Sequence, residues 1–257
     1  MDFKKVAEEL LQAEKGAYQI SKITAQYPDM TVEDAYSIQL ENISKKVAAG
    51  EKVIGLKVGL TSKAMQNLLG VNEPDYGHLT DKMLVSEGDY CSMEELIQPK
   101  IEGELAFCLN KTLRGPGVTI ADVYNATGWV VPAIEIVDSR IKDWKINLND
   151  TIADNGSSAK FVLGGRMTKI EDIDMRLVGM MLEKNGELIS TGTGAEVWGN
   201  PAAAVAWLAN KLSEFDIELK EGNIILSGAV TAAVSAKAED VFTVSFTGMG
   251  SVSVKFK

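Results

Sequence analysis

The chain has 257 residues, 46% of them hydrophobic and 24% charged, enough apolar content to bury a sizeable core. Its formal net charge of −10 argues against nucleic acid or an anionic membrane surface as the main partner. No apolar run approaches the roughly 20 residues that a spanning helix needs, the charged, helix-patterned start is unlike a secretory signal, and two cysteines, Cys91 and Cys108, make no disulfide framework. A reduced, cytoplasmic location is expected.

Residues 2–15 place Phe3, Val6, Leu10 and Leu11 at helical spacing, with Gly16 as a stop. Thr31 with Asp34 three residues on reads as a capping box, opening a second helix that ends before Gly50. Residues 1–50 thus form a helical arm, and 51–257 a β-rich core within one catalytic domain. Val53–Leu60 reads as a strand with Ile54, Leu56, Val58 and Leu60 on one face, and Val53, Gly55, Lys57 and Gly59 on the other. Lys57 between two glycines suits a close-approaching ligand; an edge-strand lysine is the plainer alternative. Ser62 is expected to cap a short helix through Leu69, ended by Gly70. Val71–Thr80, rich in turn formers and holding the only histidine, reads as a loop, with His78 solvated and Asp75 open to turn chemistry.

Pro99–Leu109 alternates as a strand: Ile101, Leu105, Phe107 and Leu109 share a face with Gly103, and Glu102 and Glu104 lie together on the other. Carboxylates at that spacing repel unless a cation or solvent separates them. After the turn at Arg114–Gly117 and a short helix capped by Thr119, Gly128–Asp138 is an apolar strand carrying Glu135. A carboxylate so placed must be paired or metal-bound. Three acids without a matching His or Cys set suit Mg²⁺ or Mn²⁺; a salt-bridged Glu135 is the alternative. Asp150–Lys160 is a polar, small-residue segment fit to line a site. Asn185-Gly186 marks a hairpin, Asn200-Pro201 opens a helix through Leu212, and three strand patterns close the chain. The fold class expected is α+β, a mixed, largely antiparallel β core with peripheral helices. No Gly-x-Gly-x-x-Gly joins a strand to a helix, so a dinucleotide-binding reading fails.

With these residues in view, the chain resembles the 2-keto-4-pentenoate hydratase and 4-oxalocrotonate decarboxylase family of the fumarylacetoacetate hydrolase-like superfamily. The marks are Gly55–Ser62, Pro74–Gly77, Pro99–Glu104, Pro132–Trp144, Ala153–Ser158, Gly199–Asn210 and Gly248–Val252, in order along nearly the whole chain. The resemblance implies Mg²⁺ or Mn²⁺ on Glu102, Glu104 and Glu135, with Lys57 and Asp75 as catalytic residues and Ser157, Ser158 and Lys160 lining the substrate. It implies a hydratase adding water to 2-hydroxypenta-2,4-dienoate, or alternatively a decarboxylase of 2-oxohex-3-enedioate using the same metal. Asp75 and Ser139–Trp144 resemble the hydratases. Gly55–Lys57, Ser157–Phe161 and Thr231–Val234 look more like the decarboxylases, with Lys160 as the cation for a second carboxylate. A non-catalytic, metal-stabilised partner protein is the remaining alternative. Homo-oligomerisation, and a complex with a pathway enzyme, are further implications of the resemblance.

Overall fold

The structure, a computed structural model, describes residues 1–62, 66, 67 and 71–257. The helix predicted from Ser62 to Leu69 falls largely outside the described residues. The N-terminal helices follow their caps. Asp2 accepts from the Lys5 amide to open α1 (Phe3–Gly16), and Ala17, left-handed, closes it. After a single turn, α2 (Ile23–Gln26), the Thr31–Asp34 capping box opens α3 (Val32–Ala48). Strands β1 (Val53–Gly59), β2 (Asp75–Thr80), β3 (Leu84–Val85), β4 (Tyr90–Cys91) and β5 (Lys100–Leu109) follow, then α4 (Ile120–Ala126) and β6 (Thr127–Val137). The remainder is α5 (Leu148–Ala153), β7 (Ser158–Leu163), β8 (Gly179–Lys184), β9 (Glu187–Thr193), α6 (Pro201–Leu212), β10 (Ile224–Leu226), β11 (Val234–Ser235), β12 (Val241–Phe246) and β13 (Gly250–Phe256). Asn185 and Gly186, both left-handed, make the predicted β8–β9 turn.

An eight-stranded sheet runs in the order β2-β1-β10-β5-β6-β7-β3, with β11 added on β5; a five-stranded sheet runs β4-β13-β12-β8-β9. Most pairings are antiparallel, the parallel ones being β1–β10, β3–β7 and β4–β13. The fold is therefore α+β around a mixed, largely antiparallel core. Pro132 sits in the middle of β6, where a missing N–H would ordinarily break the ladder. Its partner Leu105 turns its carbonyl to Ser227, so Leu105–Pro132 is a non-hydrogen-bonded pair and no β5–β6 bond is lost.

The two faces of the large sheet do different work. Ile101, Leu105, Phe107, Ile134 and Ile136 join the main apolar cluster with Phe242 and Val244 of the second sheet and Leu10 and Tyr36 of α1 and α3. Gly103 lets the second sheet press close, since a Cβ there would meet Val244 at 3.2 Å. On the opposite face, Leu79, Met83, Ala106, Val131, Ala133, Phe161 and Leu226 form a smaller cluster. Strands β2 and β7, well apart in the pairing order, contact one another, so the sheet curls around this face.

Two local expectations need correction. The segment read as a loop is a buried strand in its second half, because Asp75–Thr80 pairs along β1 and so satisfies its backbone. Its Gly77 is a packing glycine, not a turn former: a Cβ there would lie 2.3 Å from the Asn155 carbonyl oxygen. In β1 a bulge after Val53 puts Ile54 against the smaller cluster instead of with Leu56 and Val58, and Leu60, at φ 56°, leaves the strand.

Helix α5 is tied to the N-terminal segment by Asp150, whose buried carboxylate accepts from Thr24 N at 2.9 Å, Thr24 Oγ1 at 2.8 Å and Asn147 N at 3.0 Å. Asp150→Ala should therefore cost roughly 2–4 kcal/mol of folding free energy, by stranding buried donors. Urea denaturation checks this, and a loss below about 0.5 kcal/mol, the range of ordinary surface changes, would count against it.

Candidate active site

Period-two alternation brings the acids together. Glu102 of β5 pairs directly opposite Glu135 of β6, and Glu104 follows one pleat along on the same face. One carboxylate oxygen from each of the three lies within 4.8 Å of the others. Glu104 and Glu135 are completely buried. Glu104 Oε2 accepts from the Gly228 amide at 2.8 Å, whereas, among the described residues, Glu104 Oε1 and both oxygens of Glu135 have no hydrogen-bond partner. Buried, mutually repelling and under-bonded oxygens call for a cation. Burial, then the Glu135 charge, pushes the Glu102 carboxyl up to about 7 against the pull of Lys57. The same two causes, with Glu102 added, raise Glu104 well above the usual carboxylate range.

Lys57 and Asp75 complete the face. The β1–β2 register sets Lys57 opposite Gly77 and Gly59 opposite Asp75, so both side chains project toward the acids. Lys57 Nζ donates to the Gly156 carbonyl at 2.9 Å and stands 3.7 Å from Glu135 Oε1. Burial favours the neutral amine, but the charges of Glu135 and Asp75 outweigh it and hold Lys57 as the ammonium. Asp75 is raised by burial, with the Lys57 charge and a hydrogen bond from the Thr151 side chain opposing. Its Oδ1 is buried with no hydrogen-bond partner among the described residues. Gly59 makes the room: a Cβ there would fall 2.1 Å from Asp75 Oδ1 and 3.0 Å from Lys57 Nζ.

The pattern of the fumarylacetoacetate (FAA) hydrolase C-terminal family matches residues 62–257. The chain belongs to this family. It is 48% identical over 249 residues to a 2-hydroxyhexa-2,4-dienoate hydratase of Comamonas testosteroni, covering 96% of this chain and 94% of that protein. It is 51% identical over 213 residues to a 2-hydroxypent-2,4-dienoate hydratase of Pseudomonas putida, covering 82% and 96%. The solved structure of 4-oxalocrotonate decarboxylase from Pseudomonas putida G7, complexed with magnesium and adipate, superposes with a TM-score of 0.97 at 41% identity, over 99% of this chain and 97% of that one. Hydratases and decarboxylases of this kind are lyases, and the chain is a lyase of the family.

Of the other residues expected at the site, Ser157 and Ser158 are buried where α5 passes into β7. Ser157 Oγ is 3.4 Å from Thr151 Oγ1, and Ser158 Oγ has no partner among the described residues. Lys160 departs from expectation. The register places it opposite Ile136, one residue out of phase with Glu135–Phe161, so it points away from the acids. There it pairs with Glu95 at 2.9 Å and lines a pocket with Glu14, Asp138 and Arg140.

His78 departs too. It is buried, on the face of β2 opposite Asp75, with Nδ1 3.0 Å from Gln39 Oε1. Gln39 also donates to the carbonyls of Tyr76 and Ile152, binding α3 to β2 and α5, although nothing in the helical arm had suggested a role near the site. Arg140 and Asp154 form a buried ion pair, Nε–Oδ1 2.5 Å, that anchors the approach to Ser157. Burial nonetheless pushes the Asp154 carboxyl up to about 6. The polar run 150–160 was the signal for this anchor; the partner Arg140 lay outside it.

Burial lowers the His78 imidazole from 6.5 to about 4. The unfolded chain thus takes up this proton at higher pH than the folded one, so the contribution of His78 to stability is present above pH 6.5 and is lost as pH falls toward 4. As the chain holds one histidine, its ring protons give a single resolvable NMR titration. A midpoint near 6.5 would show a solvated ring instead.

Proposed function

We propose that the chain is a divalent-metal-dependent hydratase adding water to 2-hydroxypenta-2,4-dienoate to give 4-hydroxy-2-oxopentanoate. The observation that carries this reading is the trio Glu102, Glu104 and Glu135, the last two fully buried with oxygens unpartnered among the described residues, beside Lys57 and an Asp75 Oδ1 likewise unpartnered. The trio would hold Mg²⁺ or Mn²⁺: its donors are all hard carboxylate oxygens, and no His or Cys joins them among the described residues. The bound ion supplies Lewis-acid polarisation of the 2-oxo acid.

The protein's own groups do the rest. The Lys57 ammonium positions the C1 carboxylate or balances charge growing on the 2-oxygen. Asp75 carries the distal proton. As the carboxyl it would give a proton to C5 as the dienol ketonises, and as the carboxylate left behind it would accept one from the water that adds at C4. C3 takes a proton equivalent to the one that the 2-hydroxyl gives up on ketonisation, so the net change is the addition of one water. Ser157 and Ser158 supply polar wall. The five-carbon monocarboxylate fits a site without Lys160, the cation that a second carboxylate would have used. Residues 1–257 act as one catalytic domain, which the shared packing of α1 and α3 with the sheets supports. A cytoplasmic homo-oligomer is part of the same reading.

Glu104→Gln should lower turnover by at least ~100-fold while the chain stays folded by circular dichroism; near-normal activity would remove the metal mechanism. The deciding assay offers 2-hydroxypenta-2,4-dienoate and 2-oxohex-3-enedioate separately with Mg²⁺, reading products by mass. Water gained on the first, crippled in Asp75→Asn, is the expected result. Loss of CO₂ from the second, without hydration of the first, would make the chain a decarboxylase. Turnover of neither would favour a metal-stabilised partner protein.

A further inference from the structure

Lysine carries its charge on a flexible four-carbon stem, so a catalytic ammonium needs something rigid to bind against. For Lys57 that group is the carbonyl of Gly156. What holds the carbonyl still is the residue before it. Asn155 Oδ1 accepts from His78 N at 2.8 Å, and Asn155 Nδ2 donates to His78 O at 2.9 Å. One carboxamide thus occupies both main-chain groups of one residue of β2, the end strand of its sheet, as a neighbouring strand would. Gly77 allows the close approach, its missing Cβ leaving space for the Asn155 carbonyl. The backbone at Asn155, Gly156 and Ser157 is left-handed at three successive residues, φ 57°, 60° and 55°. Asparagine takes up that conformation readily, whereas Ser157 holds it because the surroundings impose it.

We propose that Asn155 is a positioning residue: by gripping β2 at His78 it fixes the Gly156 carbonyl against Lys57 Nζ, and so fixes where the ammonium stands among the acids. The inference rests on the reading of Lys57 as the substrate-facing cation. Asn155 itself contacts none of Glu102, Glu104 or Glu135 through its hydrogen bonds, which go to the β2 backbone. Its effect on the reaction passes through Lys57.

The test is a double-mutant cycle. Asn155→Gly removes the grip while tolerating the left-handed backbone, and Asn155→Asp keeps Oδ1 but turns the donor toward His78 O into an acceptor. In the wild-type background each should lower kcat on the order of 10²-fold, the effect of a displaced catalytic group, with Mn²⁺ affinity held within about twofold. In a Lys57→Met background the same changes should alter residual kcat by no more than about twofold, because their route is already cut. Equal fold-losses in both backgrounds would overturn the proposal and make Asn155 a sheet-edge clamp only. The cycle is repeated on urea midpoints, where Asn155→Gly should shift the midpoint less in Lys57→Met than in the wild type; additive shifts there would also overturn it. If the wild-type chain hydrates neither substrate, the hydratase reading falls separately, and the urea cycle decides this one.

Discussion

Like charge held on one buried face is the constraint around which the molecule is built. Glu102 and Glu135 are opposed in a ladder that makes like charges repel, and Glu104 and Asp75 add to the same side. Left to themselves these side chains would move apart or take up protons, and the upward displacement of Glu102 and Glu104 expresses that tendency. They stay because the strands beneath them cannot shift. The β5–β6 ladder is paired along its length, its far face is packed against the second sheet, and its near face carries the smaller apolar cluster. Packing free energy from both faces holds a charge arrangement that is unfavourable by itself.

The helices outside the sheet serve the same end. Gln39 of α3 meets the carbonyls of Tyr76 and Ile152 together with His78, Asp150 secures α5 to the N-terminal segment, and the Arg140–Asp154 pair fastens the stretch that leads to Ser157. The fifty N-terminal residues are therefore continuous with the supports of the site, though their own sequence carries no acid–base signature.

Legibility in the sequence followed the strength of the local pattern. Alternation along Lys100–Leu109 was strong enough to put Glu102 and Glu104 on one face, and the apolar surroundings of Glu135 marked it as needing a partner. Capping residues placed α3, α4 and α6 well, and apolar spacing placed α1, which runs through the expected stop Gly16 and closes at Ala17. The failures share a cause. Asp75–Thr80 is short and full of turn formers, so nothing local says strand; its pairing with β1 does. Lys160 looked contiguous with Ser157 and Ser158, but the irregularity at Ile136/Val137 changes phase between them, and phase decides which side of a sheet a residue serves. His78 and Gln39, 39 residues apart in the chain, could not be paired by spacing alone.

The distribution of bulges has a consequence for how such a protein can vary. Among the described residues, the ladder irregularities of the large sheet lie at Val53/Gly55, Cys108/Leu109 and Ile136/Val137, and one more lies at Leu182/Glu183 in the second sheet. None falls between Glu102 and Glu104 or between Ala133 and Glu135, where the pairing is regular. A residue inserted or deleted within those spans would exchange the two sides of the strand, turning carboxylates into the main apolar cluster and isoleucines toward the substrate. Bulges beyond the acids absorb an extra residue locally. A change of length is thus far better tolerated at strand ends and loops than within the spans that carry the acids.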